Sequence, residues 1–528
     1  MVCVTAEPLL PTVPTWYDRV STRIAGDDRL RRRLGWIVPL VITVIAGILR
    51  LWNLGHPHEI VFDETYYVKD GWSQWNLGYP ATWPEDADTG FAAGDTDTFT
   101  SVGSYVIHPP LGKWIIGAGM ALLGPDSPVG WRIGVALAGT AAVLVLYFVA
   151  RALTDSLVFA AVASGLMAVD GLAISMSRVA LLDTPLMLFV LLAFWFALLD
   201  RRGHLDRLAA VVTARGDGGP LTWGPVLWNR PWLVAAGTAA GAAAAVKWSG
   251  AWVLAAIGIY AVVTDALTRR RLGVWQWPVD AVRQGAAAFV LLVPVGAAVY
   301  LASWTGWLVT DGGYGRHTVD ASPATGVWAW VPLPLQNLWH YHEGMYASAA
   351  GMASPHGYAS PAWQWPLLLR PTSMFAERTA DGEAGCAAAN GCMAVVYSMP
   401  NPLVWWAGTA AVLFLVYRFI MTRSWQAAFV LTGIAATYVP WLFYPERTIF
   451  QFYTVVILPF VLLALVLALQ ALADPAEADP TRRLAGRRVV AVFLIVAVLV
   501  SAFWYPLVTA MSVPYDFWRL HNWMPGWI

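Results

Sequence analysis

Charge is scarce in this chain of 528 residues. Only 12% of the residues are charged, whereas soluble domains carry about 25%. The 33 basic residues balance the 33 acidic ones, so the chain lacks the overall basic field that favours nucleic acid as a partner. Apolar residues make up 58% of the sequence. Because stretches of membrane-spanning length recur throughout, the sequence predicts an all-α polytopic membrane protein.

Nucleotide-binding motifs and a cleavable leader are also missing. The sequence contains no Walker A motif and no dinucleotide-binding fingerprint. The polar segment before Trp36 carries an arginine cluster, but the apolar segment that follows is long and lacks a small-residue cleavage site. These features argue against a secretory signal peptide.

The chain has three cysteines. We expect Cys3 to be cytoplasmic and inert. Cys386 and Cys392 share one predicted outer loop, where an oxidising compartment favours a disulfide. Two free thiols or a metal pair are the alternatives. We predict the disulfide, since no histidine or further cysteine lies at zinc-ligand spacing.

Eleven apolar segments are long enough to cross a bilayer. Arginine clusters alternate with these segments, and all of them fall on one side if the N-terminus is cytoplasmic. We therefore expect a plasma-membrane protein with a cytoplasmic N-terminus and an extracytoplasmic C-terminus. The predicted spans are 36–54, 130–150, 156–174, 181–199, 231–247, 249–267, 284–305, 402–421, 425–444, 449–472 and 489–507.

This topology divides the chain into modules and places two long loops outside. Within the first loop, 66–77 and 110–123 are predicted to be short amphipathic helices at the membrane interface. The predicted parts are a cytoplasmic segment (1–35), a seven-span module (36–305) with a catalytic outer loop (55–129), a second outer loop (306–401), and a four-span module with an outer tail (402–528).

The pair Asp63-Glu64 follows the first predicted span. Adjacent carboxylates are costly beside hydrocarbon and do not both ionise easily. A helix dipole would stabilise one carboxylate at a helix N-terminus, but it gives no reason for two. A carboxylate at an outer cavity suits a general base that accepts a proton from a hydroxyl group. We therefore interpret the pair as catalytic.

Further polar residues lie near the predicted outer surface. The segment from His108 to Lys113 contains two prolines, which fix an extended backbone before a helix. It is either a rigid turn or part of a binding site. Arg178 and Asp183 flank the outer start of the fourth span. They form either a structural ion pair or part of a cavity wall.

Two more cations lie at predicted outer helix ends. The positive-inside bias makes a basic residue at Lys247 unexpected. Snorkelling of its ammonium group is the simpler interpretation, and a lipid phosphate partner is the alternative. Arg447 either contacts Glu446 or holds a phosphate, because a guanidinium group suits bidentate binding.

The second outer loop carries histidines among aromatic residues. His340, His342 and Glu343 do not follow the helical His-Glu-x-x-His pattern, so no zinc site is predicted. His342, His356 and Trp363 suit hydrogen bonding and stacking against a sugar. An interfacial aromatic belt is the alternative explanation for most tryptophans of this loop.

Together these motifs resemble the dolichyl-phosphate-mannose protein O-mannosyltransferases of glycosyltransferase family 39, in their bacterial, actinobacterial-type form. The resemblance runs in order over nearly the whole chain and implies a GT-C glycosyltransferase fold with eleven spans. The second outer loop is too short for the β-trefoil domain that eukaryotic members carry there. The matching pieces are 61–64, 108–113, Arg178 with 181–183, 247–248, 342–365 and 447–453.

The resemblance implies an inverting transfer of mannose from polyprenyl-phosphate-mannose to Ser or Thr hydroxyls of an exported, unfolded polypeptide. Asp63 would be the base, and Glu64 would shape the acceptor site or tune Asp63. No cofactor or metal is predicted, and the Sec translocon is a candidate partner. Predicted phosphate-binding residues are Arg178, Lys247 and Arg447, and predicted acceptor- or sugar-binding residues are His108, Lys113, Asp183, His342, His356 and Trp363.

Two other functions fit the same outer carboxylates. A polyprenyl-phosphate-sugar transferase that modifies lipid or cell-wall glycan would use them in the same way. A transporter of lipid-linked sugars is a poorer match, because transporters place polar residues near the midplane of the membrane. A donor that is already held by the membrane also explains the lack of nucleotide-binding motifs.

Overall fold

A computed structural model of the chain describes residues 16–215, 221–475 and 479–527. Cys3 and the first part of the predicted cytoplasmic segment lie outside these ranges. The α-helices are α1 (Trp16–Gly26), α2 (Asp28–Leu51), α3 (Glu64–Leu77), α4 (Ala87–Ala92), α5 (Leu111–Leu123), α6 (Pro128–Thr154), α7 (Leu157–Val169), α8 (Gly171–Arg178), α9 (Asp183–Arg215), α10 (Pro231–Val246), α11 (Gly250–Arg271), α12 (Trp277–Ser303), α13 (Thr305–Val309), α14 (Leu333–Gly351), α15 (Pro402–Thr422), α16 (Trp425–Tyr438), α17 (Leu458–Ala473), α18 (Pro480–Val508) and α19 (Tyr515–Arg519).

Each predicted span coincides with a helix or with consecutive helices. Among the described residues, eight helices are long and apolar enough to cross a membrane, or nine if the bent pair α7–α8 is one span. The two remaining predicted spans contain α10 and α17, which have 16 residues each. These are shorter than the roughly 20 residues that a straight crossing needs. By length alone, the helices therefore support fewer crossings than the eleven predicted.

Helix α10 packs in the interior against α12. A Cβ atom on Gly241 would lie 2.4 Å from the carbonyl oxygen of Gly296, so only glycine allows the two backbones to approach this closely. The helix ends at Val246, and the next residue, Lys247, has an extended backbone (φ −144°, ψ 143°). The chain then turns into α11 at Gly250. This turn lies at the end of the bundle that also carries the two long loops.

Helices α7 and α8 meet at a bend of 53°. Asp170 occupies the bend, and its carboxylate accepts the backbone N–H of Ala173 at 3.0 Å and that of Asn401 at 2.9 Å. The same side chain therefore begins α8 and attaches it to the start of α15.

The first long loop contains the two predicted short helices, now observed as α3 and α5. They pack closely, because a Cβ atom on Gly117 would lie 2.6 Å from the carbonyl oxygen of Gly71. The second long loop forms α13 and α14. It also contributes to a small second core, which is separate from the main core of the bundle and comprises Tyr79, Ala81, Trp304, Trp307, Leu338, Tyr341 and Met345.

A small antiparallel sheet was not part of the predicted all-α fold. Its strands are β1 (Thr372–Thr379), β2 (Cys392–Ser398) and β3 (Val513–Pro514), in the order β1-β2-β3. The third strand lies in the C-terminal tail, so the pairing joins two distant parts of the chain. Cys386, in the connection between β1 and β2, forms the predicted disulfide with Cys392, the first residue of β2.

Candidate active site

Asp63 lies at the N-cap of α3, on a turn held in an unusual backbone conformation. Phe62 has a positive φ of 50°, which is rare for a bulky residue and requires support from its surroundings. Its ring packs edge-on against Phe450 at 5.7 Å and Phe452 at 5.6 Å between centroids. The carboxylate of Asp63 is half-buried and caps no backbone amide of the helix. It is therefore available for chemistry.

Glu64 has a different environment from its neighbour. It is fully buried, and its two oxygens accept four hydrogen bonds. Oε1 accepts from Arg132 Nε at 2.8 Å and from the backbone N–H of Ala180 at 2.7 Å. Oε2 accepts from Arg132 Nη2 at 2.9 Å and from the backbone N–H of Val61 at 3.0 Å. Glu64 therefore holds the turn that carries Asp63 and has no free oxygen for a substrate.

Arg132, at the start of α6, was not among the predicted site residues. Its guanidinium group is fully buried beside Glu64. It also donates to the carbonyl oxygens of Leu54, Pro57 and Glu59. This one side chain connects the first loop to the bundle. An arginine inside an apolar span was the signal in the sequence that should have identified it.

Lys247 and Asp183 form a buried ion pair next to Asp63. Lys247 Nζ lies 2.8 Å from Asp183 Oδ2 and 5.0 Å from the centroid of the Tyr453 ring. The sequence offered Arg178 as an ion-pair partner for Asp183, and the structure gives it Lys247 instead. Because its charge is already paired and buried, Asp183 fixes the ammonium group rather than binding a sugar directly.

Asp63 has a perturbed acidity. Burial raises the pKa of its carboxyl group to about 6, with Lys247 opposing the rise and Asp183 adding to it. The group is therefore ionised at neutral pH and is a stronger base than an exposed aspartate.

A cavity of about 1340 Å³ adjoins this cluster. Its walls come largely from apolar residues of α10, α11, α12 and α14, and one part of it is lined by His108, Lys247, Arg447 and Tyr453. Asp63 does not line the cavity, but its charge acts on both Lys247 and Tyr453. The cavity thus combines a long apolar wall with a cationic region next to the half-buried carboxylate.

Arg447 and His108 lie in the same part of the lining as Lys247. The guanidinium carbon of Arg447 lies 5.5 Å from the centroid of the Trp441 ring, and its Nε is buried without a hydrogen-bond partner among the described residues. Burial, together with the charges of Lys247, Lys113 and Arg447, holds the pKa of His108 well below its usual range. The imidazole is therefore neutral and can donate a hydrogen bond without carrying charge.

Two family models match this chain. One, described as dolichyl-phosphate-mannose-protein mannosyltransferase, matches residues 40–305. The other, described as the C-terminal four-TMM region of protein-O-mannosyltransferase, matches residues 334–527. The chain belongs to the protein O-mannosyltransferase family. The resemblance seen in the sequence motifs is confirmed.

Relatives within this family are similar over nearly their whole length. The polyprenol-phosphate-mannose–protein mannosyltransferase of Mycobacterium tuberculosis is 30% identical over 99% of this chain and 98% of its own. The enzyme of the same description from Corynebacterium glutamicum is 26% identical over 93% of each chain. The solved Saccharomyces cerevisiae protein O-mannosyltransferase Pmt1–Pmt2 complex, bound to the sugar donor, is 16% identical with a TM-score of 0.69. It covers 94% of this chain and 92% of its own, which confirms the GT-C membrane fold.

The structure of this mannosyltransferase places Arg178 against the end of α2. Its guanidinium group is buried and donates to the backbone carbonyl oxygens of Arg50, Trp52 and Asn53 at 2.7–2.9 Å. These carbonyls lie at the C-terminal end of α2, where helical partners are missing. Three N–H groups of this cation are therefore held by the helix end, which favours a structural role, and the phosphate-binding role of Arg178 stays a prediction.

Lys113 is also placed beneath the site rather than in it. Its side chain is 1% exposed, and Nζ donates to the carbonyl oxygen of His108 at 3.0 Å and lies 3.6 Å from Asp70 Oδ2. Its ammonium group is therefore held by protein partners, and the predicted acceptor- or sugar-binding role stays a prediction. Lys113 fixes the backbone of the His-Pro-Pro turn and thereby the position of His108.

His342 belongs to a chain of hydrogen bonds in the cavity wall. Its Nδ1 lies 2.6 Å from the carbonyl oxygen of Leu338, so this nitrogen carries the proton. Its Nε2 therefore accepts from the Tyr300 hydroxyl at 2.5 Å, and that hydroxyl accepts from Trp248 Nε1 at 2.9 Å. Both ring nitrogens are engaged, so His342 fixes Trp248 beside Lys247 instead of offering a hydrogen bond to a sugar.

The remaining predicted residues lie outside the cationic cluster. His356 packs edge-on against Phe62 and Phe450, so it supports the Asp63 turn. Trp363 is 61% exposed on a 3₁₀-helix (Ala362–Leu367) and does not line the cavity, so its acceptor role stays a prediction. Among the described residues, no group of three or more His, Cys, Asp or Glu side chains is arranged to hold a metal ion.

Proposed function

We propose that this chain transfers mannose from polyprenyl-phosphate-mannose to Ser or Thr hydroxyls of proteins, with inversion at the sugar carbon. The observation that carries the proposal is the half-buried Asp63 carboxylate beside Lys247, which itself lines the cationic part of a large apolar cavity. The names of the actinobacterial relatives support the same donor and a protein acceptor.

The apolar wall of the cavity suits a polyprenyl chain, and the cationic region suits its phosphate. Lys247 is held at this position by Asp183, and the Arg447 guanidinium offers planar donors for phosphate oxygens. His108 adds a neutral donor. These three groups would stabilise the negative charge that grows on the phosphate as the bond to the sugar breaks.

The chemical step requires one proton transfer. The acceptor hydroxyl oxygen forms a bond to C1 of mannose while the bond from C1 to the phosphate oxygen breaks. The electron pair of the broken bond leaves with polyprenyl phosphate, and Asp63 takes the hydroxyl proton. Attack opposite the leaving group converts a β-linked donor into an α-mannoside.

We infer an extracytoplasmic site in the plasma membrane, from the arginine clusters that place the two long loops outside. An unfolded polypeptide emerging from the Sec translocon would then present its hydroxyls to Asp63. Labelling of single introduced cysteines at both bundle ends in intact cells tests this orientation. Labelling of the loop ends from the cytoplasmic side only would overturn it.

Asp63→Asn tests the base. In nanodiscs supplied with polyprenyl-phosphate-mannose and a Ser/Thr-rich peptide, we expect transfer to fall by about 10²–10⁴-fold, with donor binding and folding retained. Asp86→Asn is the matched control, since Asp86 is an exposed aspartate of the same loop. Unchanged turnover in Asp63→Asn would refute the assignment. Transfer to a lipid or glycan acceptor, with none to the peptide, would instead favour the glycan-modifying function.

A further inference from the structure

A strongly apolar surface segment follows α12 and α13. Residues 321–330 are all exposed, and Val327, Trp328 and Trp330 are exposed by 80%, 62% and 76%. No charged residue occurs between Asp320 and His340. A surface that faced water would normally carry charge, so an exposed patch of this kind marks an interaction site. We call residues 321–331 the tryptophan loop.

The tryptophan loop has a preformed shape. The side-chain amide of Gln336, in the first turn of α14, closes its neck. Gln336 Oε1 accepts from the backbone N–H of Ala324 at 2.7 Å, and Nε2 donates to the carbonyl oxygen of Val331 at 2.7 Å. The exposed tip therefore projects from a closed neck.

The loop lies beside the cavity and beside bundle helices with lipid-facing surfaces. Trp328 and Val331 line the cavity together with Trp252 of α11 and Leu301 of α12. Trp252 and Leu301 are themselves 50% and 40% exposed, on helices long enough to cross a membrane. The tip of the loop is thus continuous with a surface that faces hydrocarbon. Tryptophan is the residue best suited to the boundary between lipid headgroups and acyl chains.

We propose that the tip of the tryptophan loop inserts among the phospholipids of the leaflet at the active-site end, next to the cavity mouth. There it keeps the mouth at the depth where the chain of a lipid-linked donor enters. The occupant of the exposed surface is the headgroup and upper acyl-chain region of the bilayer. The insertion stands on the exposure and composition of the loop, and only the donor-entry part rests on the proposed function.

The insertion is tested by the depth of a fluorescent label. Ala329→Cys, in a Cys3→Ser background with the disulfide intact, is labelled with a polarity-sensitive dye in phospholipid nanodiscs. We expect blue-shifted emission, quenching by phospholipids that carry a nitroxide on the upper acyl chain, and protection from aqueous iodide. Glu85→Cys, at an exposed polar position of the first loop, is the control that iodide should quench. An Ala329→Cys label that iodide quenches as strongly would overturn the proposal.

The role in donor entry is tested by Val327→Ser/Trp330→Ser, which changes two exposed tip residues outside the cavity lining. We expect the KM for a long-chain donor in nanodiscs to rise by about tenfold, with kcat unchanged. The KM for a short-chain, water-soluble mannosyl phosphate donor should also stay unchanged. Trp275→Ser removes a 74%-exposed tryptophan at the other end of the bundle and should change neither value. Equal effects on both donors, or none on the long-chain donor, would overturn the entry role.

The insertion of the loop and the proposed function can be refuted independently of each other. If the wild-type protein transferred no mannose, the proposed function would fail, while the depth measurement would still decide whether the loop inserts. A double variant that unfolds at a lower temperature than the wild type would be replaced by Val327→Ala/Trp330→Phe. This variant keeps aromatic packing and should show a smaller rise in KM if insertion governs donor entry.

Discussion

Glu64→Gln keeps the size of the side chain but removes its charge and converts one oxygen into an NH2 group. Each native oxygen accepts two N–H groups, one from Arg132 and one from the backbone of Ala180 or Val61. A glutamine retains two of these bonds in either orientation and points its own donors at the other two donors. At about 1.5–3 kcal/mol for each lost bond to a charged group, we expect a loss of about 3–6 kcal/mol.

Thermal unfolding of the purified protein in nanodiscs measures this loss. Typical domains are stable by only about 5–15 kcal/mol, so the midpoint should fall clearly. Glu377→Gln, at an exposed position on β1, is the control and should unfold like the wild type. Combining Glu64→Gln with Arg132→Met should cost less than the sum of the single changes, because the two side chains interact. Equal midpoints for Glu64→Gln and Glu377→Gln would refute the view that this ion pair holds the catalytic turn.

Four further outcomes follow from the site. The kcat/KM should rise with pH and level off above about pH 6, where Asp63 has lost its proton. Asp183→Asn should move this inflection to lower pH, because it removes a negative charge that raises the pKa of Asp63. A pH-independent rate would contradict the base role. Lys247→Met should lower kcat by about 10²–10³-fold, with partial recovery in Lys247→Arg, as measured by single-turnover transfer. Tyr300→Phe removes the hydroxyl group that joins Trp248 to His342. Donor affinity, measured by titration, should fall by a larger proportion than the unfolding temperature. Arg178→Met should lower the unfolding temperature but leave donor affinity unchanged. A selective loss of donor affinity would instead support the predicted phosphate-binding role of Arg178.

The sequence predicted the positions of charge better than the roles of the charged groups. Lys247, Arg178 and Arg447 stood out because cations are costly and unexpected at those helix ends. The structure places two of them at the cavity, but gives Arg178 to the carbonyl oxygens that end α2. A guanidinium group satisfies a helix end and a phosphate through the same donors. The amino-acid pattern alone therefore does not separate these two roles.

The pairing of segments that are distant in the chain was the other feature that the sequence did not predict. The prediction of helices succeeded because apolar length is a local property that determines a membrane span. Strand β3 is two residues long and pairs with β2, which lies more than a hundred positions away in the sequence. No local periodicity therefore predicts it. The partner of Arg132 was hidden for a related reason. The position of Arg132 inside an apolar span was visible in the sequence, but Glu64 lies in a different element.

The second hydrophobic core gives the two sides of the site different anchors in the fold. Asp63 moves with the main bundle, because Glu64 and Arg132 fasten its turn to α6. Helix α14 instead packs through Tyr341 and Met345 into the small second core. The small core also contains Trp304, directly after α12, and Tyr79, just after the end of α3. The wall that carries His342 and the tryptophan loop is therefore anchored through a second, smaller core to the ends of α3 and α12, whereas the turn that carries the base is anchored to α6.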